Sequence, residues 1–524
     1  MSGDEARASV PFADSYGRLL EEFAAQIGEP RAVYGQAGRS VREEIVRCVW
    51  FGGHYRRQDL TTEDGRRLEV LSPGWWNVEG GPDFVRAEML LEGVGRLVGD
   101  VEVHTLASGW YAHGHHKQPE YNGVALHVVM WNDREECTVQ SEAGAAIPQM
   151  ELSRVVGDDM EELVDLIDPE AEQADQPWQP VEGKYCGRAY RDGEIAPEWL
   201  GRLLDAAGDH RLLGRAGALA ELFRHHAREQ VLYERIAEAL GYKSNRLPFL
   251  QLAGLLPLKE LRRAVPAQGS ATEKSTMLEA AFFAAAGFLE EAPSGDEDPE
   301  TGAYRAALAE AWEQFGPKPP TQLSRSHWQL AGARPVNYPT RRIAALARLC
   351  GGQLHTGLFN SFLRAVHTAR PAGRQRADRA VRSALLDVFQ QLEHPYWSFR
   401  YTFGGRRLAR PRALVGEERA MSILVDALLP LLLAHARSEG DEALTGRMSD
   451  LWQGLPRQHE NAVTRRMERM MFPGRRDAQV VVNSARRQQG LHQLYADCCR
   501  NEGGCERCVL YLARQAGKAF EAGR

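Results

Sequence analysis

A short segment near residue 100 places three ionisable side chains on one face of an apolar β-strand. Its sequence is Gly99-Asp100-Val101-Glu102-Val103-His104. Alternate side chains of a strand share a face, so the acidic residues and the histidine project together while the valines point into a core. Removing ionisable groups from water is costly unless they are paired or used. The segment therefore requires a sheet that buries one face, and it predicts a candidate active site on the other.

Asp83 is the natural partner of this strand. It follows Gly81-Pro82 and opens a strand-like segment that ends near Gly93. Carboxylates on adjacent strands can share a hard divalent cation, which stabilises charge on a phosphoryl oxygen and lowers the pKa of a bound water. We predict that Asp83 and Glu102 bind Mg²⁺ or Mn²⁺. His104, whose reference pKa lies near neutrality, would take the water proton or contact the phosphate. The alternative is a solvated edge strand without a function.

The order of predicted elements indicates an α/β domain followed by a long helical region. A helix opens near residue 40, a hairpin of short strands follows, and Val124 to Trp131 is apolar on both faces, as in a central strand. From about residue 194, Ala- and Leu-rich helical segments alternate with Gly/Pro breaks. The predicted units are an α/β domain (1–155), a linker (156–193), an all-α domain (194–487) and a Cys-rich segment (488–524).

Glu44 stands out on the helix that opens near residue 40. Val41, Ile45 and Cys48 form an apolar stripe on this helix, and Glu44 lies on the same side. Its neighbour Glu43 has a structural explanation, because Ser40-Val41-Arg42-Glu43 is typical of a capping box. Glu44 is either a group at the edge of the stripe that reaches water or a further carboxylate of the strand site.

Histidines are frequent in the connector that follows the strand site. His113, His115 and His116 lie in it, and His127 lies on the next strand. These histidines could be ligands of a zinc ion, but no Cys or carboxylate has the spacing of a tetrahedral set. We expect two or three to be surface loop residues and His127 to be a hydrogen-bonded core residue. The residues expected to support the strand site, or to contact substrate phosphate there, are Asp100, His113, His115 and Tyr121.

The C-terminal end carries four of the eight cysteines, Cys498, Cys499, Cys505 and Cys508. The last two have the C-x-x-C spacing of a metal-binding knuckle, and one of the first two would be the third ligand. The fourth ligand is either distant Cys186 or nearby His492. Zn²⁺ and an iron–sulfur cluster both remain open, and the alternative is a set of reduced thiols without a metal.

An arginine-rich segment extends from Arg364 to Arg412. It contains eleven Arg, no Lys and three acidic residues, with aromatic residues interleaved. Guanidinium groups suit phosphate contacts and aromatic rings suit base stacking. We predict that this segment contacts nucleic acid through residues that include Arg400, Arg406 and Arg407. The alternative is a solvated helix face balanced by acidic neighbours.

The strand site resembles the PD-(D/E)XK nuclease signature. Pro82-Asp83 and Glu102-Val103-His104 follow its pattern, with His104 in the position of the lysine. The resemblance implies a restriction-endonuclease-like αβββαβ core and metal binding by Asp83, Glu102 and the Val103 carbonyl. It also implies that His104 replaces the catalytic lysine. A lysine is a fixed positive charge, whereas a histidine is mostly neutral and can itself bind a metal.

Nearly the whole chain resembles an uncharacterised bacterial family of unknown function that carries this core. In the nuclease superfamily, several branches have an acidic residue on the first core helix, and Glu44 matches it. Some members fasten a C-terminal segment to the core with an iron–sulfur cluster, although the cysteine order differs here. The matching stretches include residues 80–84, 99–104, 113–116, 126–129 and 334–339.

Composition is that of an ordinary globular protein, with 43% hydrophobic and 26% charged residues. The acidic N-terminus lacks an apolar core segment, and the apolar stretch from Ala427 to Ala434 is too short to span a bilayer, so we expect a cytoplasmic protein. The leading hypothesis is a metal-dependent nuclease that cleaves phosphodiester bonds of DNA or RNA. The alternative is a non-catalytic nucleic-acid-binding or scaffold protein on a degenerate nuclease-like core.

Overall fold

The computed structural model describes most of the chain. The described residues are 12, 14–24, 41, 43–53, 55, 60–77, 81–156, 184–241, 245–268, 270–289, 298–329, 335–371, 376–499 and 505–518. Ser40 and Arg42 of the predicted capping box, Gly80, and residues 157–183 of the predicted linker lie outside them.

A mixed sheet of seven strands forms the N-terminal part of the fold. The strands are β1 (Leu68–Ser72), β2 (Trp75–Trp76), β3 (Phe84–Leu91), β4 (Gly95–Leu106), β5 (Val124–Trp131), β6 (Thr138–Gln140) and β7 (Ala146–Glu151). Their order is β1-β3-β4-β5-β7-β6, and β2 also pairs with β3. Strand β3 is antiparallel to β1 and β4, whereas β5 is parallel to β4 and β7.

Strand β4, which carries the ionisable segment, lies inside the sheet between β3 and β5. Its register places Val101 opposite Phe84 of β3, and Glu102 beside His127 of β5. Glu102 and His104 are buried together with the intervening valine. The alternative of a solvated edge strand is therefore wrong, because β4 has a partner on both edges and its polar side chains are shielded from water.

Helices account for most of the remaining structure. They are α1 (Ser15–Glu22), α2 (Glu43–Gly52), α3 (Gly109–Ala112), α4 (Ser153–Val156), α5 (Tyr185–Arg191), α6 (Pro197–Leu222), α7 (Arg228–Leu240), α8 (Arg246–Leu255), α9 (Leu258–Ala264), α10 (Ala271–Ala285), α11 (Pro299–Gln314), α12 (Pro339–Gln353), α13 (Leu358–Thr368), α14 (Ala377–Gln390), α15 (Glu417–Glu439), α16 (Glu442–Gly454), α17 (Ala462–Met471), α18 (Arg475–Val481), α19 (Ala485–Leu494) and α20 (Val509–Gln515). The prediction of an N-terminal sheet domain followed by a mostly helical region is confirmed.

The two N-terminal helices pack against different parts of the fold. Ile45, Val49 and Trp50 of α2 join the apolar core beneath the sheet. By contrast, α1 packs in a core with α5, α17 and α20, and Tyr16 Oη donates a hydrogen bond of 2.9 Å to Asp497. The predicted 1–155 unit therefore includes one helix that packs with the C-terminal end of the chain.

Among the described residues, one helix is long and apolar enough to cross a bilayer. This helix is α15, and 78% of its most apolar window is buried inside the fold. Its apolar side chains, such as Leu429 and Leu432, pack in the large helical core together with α7, α10 and α12.

Helices α6 and α19 cross so closely that their backbones touch. A Cβ atom on Gly490 would lie 2.1 Å from the Leu204 carbonyl oxygen, and one on Gly208 would lie 2.2 Å from the Arg486 carbonyl oxygen. Beside this crossing, Arg486 forms a buried ion pair with Asp209. The glycines are needed because no side chain fits between the helices.

We expect Gly490→Ala to lower the free energy of unfolding by roughly 1–3 kcal/mol, because overpacking would force the helices apart. Urea unfolding followed by circular dichroism measures this. The matched control is Gly217→Ala in α6, where a Cβ meets nothing within 4 Å. It should stabilise by about 0.5–1 kcal/mol, because alanine has the higher helix propensity. Equal unfolding curves for the two variants would contradict the close crossing.

Candidate active site

Asp83 and Glu102 are joined across strands β3 and β4. The Asp83 backbone N–H donates to Glu102 Oε2 at 3.0 Å, and the Val103 backbone N–H donates to Asp83 Oδ2 at 3.0 Å. Both carboxyl groups are buried, with 7% and 4% of each residue exposed. Burial raises the pKa of Asp83 well above its ordinary value, and the nearby Glu102 charge adds to this rise. Two of the predicted site residues are therefore in direct contact.

Arg47 of α2 supplies the positive charge nearest to Asp83. Its Nε lies 2.9 Å from Asp83 Oδ1, and its Nη2 lies 2.5 Å from Glu43 Oε1. The Arg47 charge opposes the burial-driven rise in the pKa of Asp83, and the Glu43 charge reinforces that rise. Glu43 is thus a helix carboxylate that acts on the site, and the role of its neighbour Glu44 stays a prediction. The signal available in the sequence was the i, i+4 spacing of Glu43 and Arg47.

His104 lies at the centre of a hydrogen-bonded row of buried side chains. Its Nδ1 lies 2.9 Å from His127 Nε2, and His127 Nδ1 lies 3.0 Å from Gln149 Oε1. Burial lowers the pKa of His127 to about 3 and holds the pKa of His104 well below its usual value. Both rings are therefore neutral, and His104 does not provide the fixed charge of a lysine. The prediction that His127 is a hydrogen-bonded core residue is confirmed.

The connector between β4 and β5 folds back over His104. A Cβ on Gly109 would lie 2.6 Å from the His104 ring, so α3 begins directly against the imidazole. Gly114 adopts a φ of 78°, which lets the chain turn between His113 and His115. His113 Nδ1 consequently lies 3.1 Å from His104 Nε2.

His115 is buried, so it is not among the two or three connector histidines expected at the surface. Its ring stacks on Tyr121 with a centroid separation of 3.9 Å, and its Nε2 lies 3.2 Å from Glu102 Oε1. Burial and the negative charges of Glu102 and Asp83 raise the pKa of Tyr121 to about 12. His104, His113 and His115 form a group whose ligand atoms all lie within 4.8 Å of one another. The folding of the connector, and no spacing in the sequence, brings them together.

Asp100 stabilises a backbone irregularity near the site. Its Oδ1 accepts a hydrogen bond of 3.0 Å from the Arg86 backbone N–H, and Arg86 has an unusual φ of 58°. The pairing of β3 with β4 shifts between Phe84 and Ala87, as in a β-bulge. Asp100 therefore supports the site through the backbone that follows Asp83, since bulges re-aim the neighbouring side chains.

Five cysteines line one small cavity of about 50 Å³ in the C-terminal part of the fold. They are Cys186, Cys498, Cys499, Cys505 and Cys508. The structure thus brings Cys186 to the clustered cysteines, whereas His492 lies 2.9 Å from the side-chain nitrogen of Asn461. Burial raises the pKa of Cys186 to about 12, and a hydrogen bond with Cys498 lowers the pKa of Cys508. Of the two alternatives for a distant ligand, the cavity favours Cys186.

The three arginines selected as nucleic-acid contacts differ in exposure. Arg400 is buried and forms ion pairs with Asp298 and Glu300 at 3.0 and 2.7 Å. Arg407 is half exposed and pairs with Glu300 at 2.7 Å, and Arg406 is exposed. Arg400 is therefore buried and paired with two partly exposed carboxylates, which disfavours phosphate contact, and its predicted role stays a prediction.

We expect Arg47→Gln to lower the free energy of unfolding by about 2–3 kcal/mol, because Asp83 loses its counter-charge. This is less than the roughly 3–5 kcal/mol for a fully buried pair, because a third of Arg47 is exposed. Asp83→Asn should cost less, and the double variant should recover part of the loss. Urea unfolding of the four proteins gives the coupling energy. Strictly additive effects would contradict the ion pair.

Comparison with known proteins identifies a family but no characterised relative. No curated protein and no solved structure matches the chain significantly. One family profile, described as Protein of unknown function (DUF2851), matches residues 43–461, which contain the whole sheet and most of the helical region. The match covers far more than half of the sequence, so the expectation of a family of unknown function is confirmed. The chain belongs to the DUF2851 family.

Proposed function

We propose that the protein is a metal-dependent phosphodiester hydrolase that acts on DNA or RNA. The observation that carries this proposal is a pair of buried carboxyl groups joined through the backbone: Glu102 Oε2 accepts from the Asp83 N–H, and Asp83 Oδ2 accepts from the Val103 N–H. Buried carboxyl groups are expensive to maintain, and groups with a strongly shifted pKa, such as Asp83, are concentrated at functional sites. The neighbouring histidines and Tyr121 add groups that can bind a phosphate or transfer a proton.

The strand arrangement supports a nuclease-like core. Helix α2 precedes three antiparallel strands, β1, β3 and β4, and β5 then lies parallel to β4. This is the element order expected of an αβββαβ core. The departure is the connector before β5, which holds only the four-residue helix α3 and two 3-10 turns.

Different side chains of the site can have different roles in phosphodiester hydrolysis. A divalent ion at the carboxylates would stabilise charge on a phosphoryl oxygen and lower the pKa of a bound water. Glu102 is the better ligand, because its Oε1 faces the histidines while Oε2 is held by the Asp83 backbone. Neutral His104 presents the lone pair of its Nε2 to this site. Arg47 would take over the fixed positive charge that a lysine provides in the PD-(D/E)XK pattern.

The helical region would guide the nucleic acid along its exposed arginines. Arg406 and Arg410 are exposed beside Arg407, whereas Arg400 holds the loop that presents them. Contacts of this kind are electrostatic and weaken as salt rises. Binding of nucleic acid should therefore weaken as ionic strength rises. A binding assay measures this separately from cleavage.

We expect the purified full-length protein to cleave labelled DNA or RNA with Mg²⁺ or Mn²⁺ and not with EDTA. Single- and double-stranded forms of both nucleic acids should be tested. Glu102→Gln should lower the rate about 100-fold or more, because several kcal/mol of transition-state charge stabilisation are lost. The matched control is Glu88→Gln, an exposed glutamate on the neighbouring strand β3. No cleavage in any condition, or equal cleavage by both variants, would refute the hydrolase.

The second candidate is a non-catalytic nucleic-acid-binding or scaffold protein on a degenerate nuclease-like core. One observation favours it: each Asp83 oxygen already has a partner, Arg47 for Oδ1 and the Val103 N–H for Oδ2. This candidate predicts salt-dependent binding without turnover. It also predicts that binding survives Asp83→Ala.

The cysteine cavity is proposed to bind Zn²⁺ or an iron–sulfur cluster that fastens the C-terminal end to α5. Support comes from five cysteines around one cavity, drawn from three separate parts of the chain. Thiolates are the common ligands of both groups. Metal analysis identifies the group, and a brown colour would indicate iron.

We expect Cys508→Ser to remove the metal and to lower the melting temperature, because metal binding to such sites stabilises the fold. Cys137→Ser is the matched control, since Cys137 is exposed on the sheet domain and lies outside the cavity. Elemental analysis and thermal unfolding of both proteins test this. Equal metal content in the two variants would refute the cysteine site.

A further inference from the structure

Four potential ligand atoms converge beside the C-terminal half of β4. They are Glu102 Oε1, His104 Nε2, His113 Nδ1 and His115 Nε2. His104 Nε2 lies 3.1 Å from His113 Nδ1, while Glu102 Oε1 lies 3.2 Å from His115 Nε2 and 3.8 Å from His104 Nε2. Four ligands at zinc distances around a tetrahedral ion lie roughly 3.4 Å apart. These three separations are close to this value, and the ligand atoms of the three histidines all lie within 4.8 Å of one another.

The hydrogen bonds of His104 leave its Nε2 without a hydrogen. The Gln149 Oε1 accepts from His127 Nδ1, so neutral His127 carries its lone pair on Nε2. That lone pair accepts from His104 Nδ1, which fixes the proton of His104 on the side away from the cluster. Metal-binding histidines are characteristically oriented in this way, by donating the other ring N–H to an acceptor.

His115 is oriented by the same kind of contact. Its Nδ1 lies 3.0 Å from Gln118 Oε1, which makes Nδ1 the donor and leaves a lone pair on Nε2. This lone pair faces the Glu102 carboxylate at 3.2 Å, and both side chains are more than nine-tenths buried. Two lone pairs at this distance repel unless a proton or a cation lies between them. A proton on His115 would remove the repulsion in this contact alone. One metal ion bound by all four side chains would remove the repulsion in every contact between their lone pairs.

We propose that Glu102, His104, His113 and His115 bind one divalent transition-metal ion of the Zn²⁺ or Co²⁺ type. Three imidazoles and one carboxylate suit such ions, whereas Mg²⁺ prefers oxygen ligands throughout. Asp83 is not a ligand of this ion, because its oxygens contact Arg47 and the Val103 N–H. The site differs from the Mg²⁺ position shared by Asp83 and Glu102, and it does not require that the protein cleave phosphodiesters.

The site is accessible from one side. His113 is its exposed member, while His104 and His115 are buried. An ion can therefore enter from the side of His113 without unfolding the sheet. Because His113 is exposed, it can also be replaced with little effect on the core, which makes it the most informative position for a test.

The test is a titration of the metal-stripped full-length protein with Co²⁺, followed by visible absorption, with Zn²⁺ and Mg²⁺ as competitors. We expect one equivalent with the spectrum of nitrogen and oxygen ligands, displaced by Zn²⁺ and not by Mg²⁺. Gln149→Leu should weaken binding about 10–100-fold through the orientation of the ligands. His113→Ala and His115→Ala should weaken it more. The His116→Ala variant should bind Co²⁺ as the unchanged protein does. His116 is adjacent to a ligand in the sequence but lies outside the group of histidines.

Three outcomes would overturn this site. Co²⁺ binding unchanged in His113→Ala and His115→Ala would exclude the histidines. A spectrum with only sulfur-to-cobalt charge transfer would assign all binding to the cysteine cavity. Binding lost in Asp83→Asn but retained in the histidine variants, with folding verified by circular dichroism, would assign the ion to the carboxylates. A nitrogen-and-oxygen cobalt site without any cleavage would instead refute the hydrolase and support the metal site.

Discussion

The hydrogen bonds that join Asp83 and Glu102 across the strands fix the orientation of the side chains in the candidate site. Each residue uses a carboxylate oxygen to accept a backbone N–H from the opposite strand, so the side chains lock the start of β3 to the middle of β4. Glu102 Oε1 is thereby turned towards the histidines, and Asp83 Oδ1 is turned towards α2. A buried acidic pair of this kind needs positive partners on both sides. Arg47 fills that need on one side, and the cation proposed among the imidazoles would fill it on the other.

The alternation of apolar and polar residues was sufficient to predict the strands of the sheet. It did not predict how the connector between β4 and β5 folds. The alternation around Glu102 and the doubly apolar β5 both reflect local patterns that burial imposes on strands. The convergence of His113 and His115 on His104 depends on Gly109 packing against a ring and on a left-handed turn at Gly114. Neither contact leaves a periodic trace in the sequence, so a position of His113 and His115 near the strand site could be expected, but not their convergence on the His104 ring.

Contacts between side chains that are far apart in the sequence were the other feature that local composition does not show. Arg400 lies in an arginine-rich segment, yet its partners Asp298 and Glu300 are about a hundred residues earlier in the chain. Cys186, which the sequence left open as one of two candidates for the fourth ligand, reaches the terminal cysteines over an even longer separation, through the packing of α5 against α17. Composition along the chain records local charge, whereas the availability of a charge depends on long-range packing. The count of arginines therefore overstated the surface that can contact phosphate.

His104 stands where the proposed nuclease-like site would have a lysine, and it offers different chemistry. A lysine beside two carboxylates supplies a permanent charge, but His104 is buried, neutral and tied to a second neutral histidine. The structure separates the two tasks: Arg47 carries the charge from the helix side, and His104 offers a lone pair on the strand side. In the proposed nuclease-like core, imidazoles in place of an ammonium group would offer ligands for a softer ion than Mg²⁺. The histidine at this position is then explained by the metal site proposed above and does not require loss of the site.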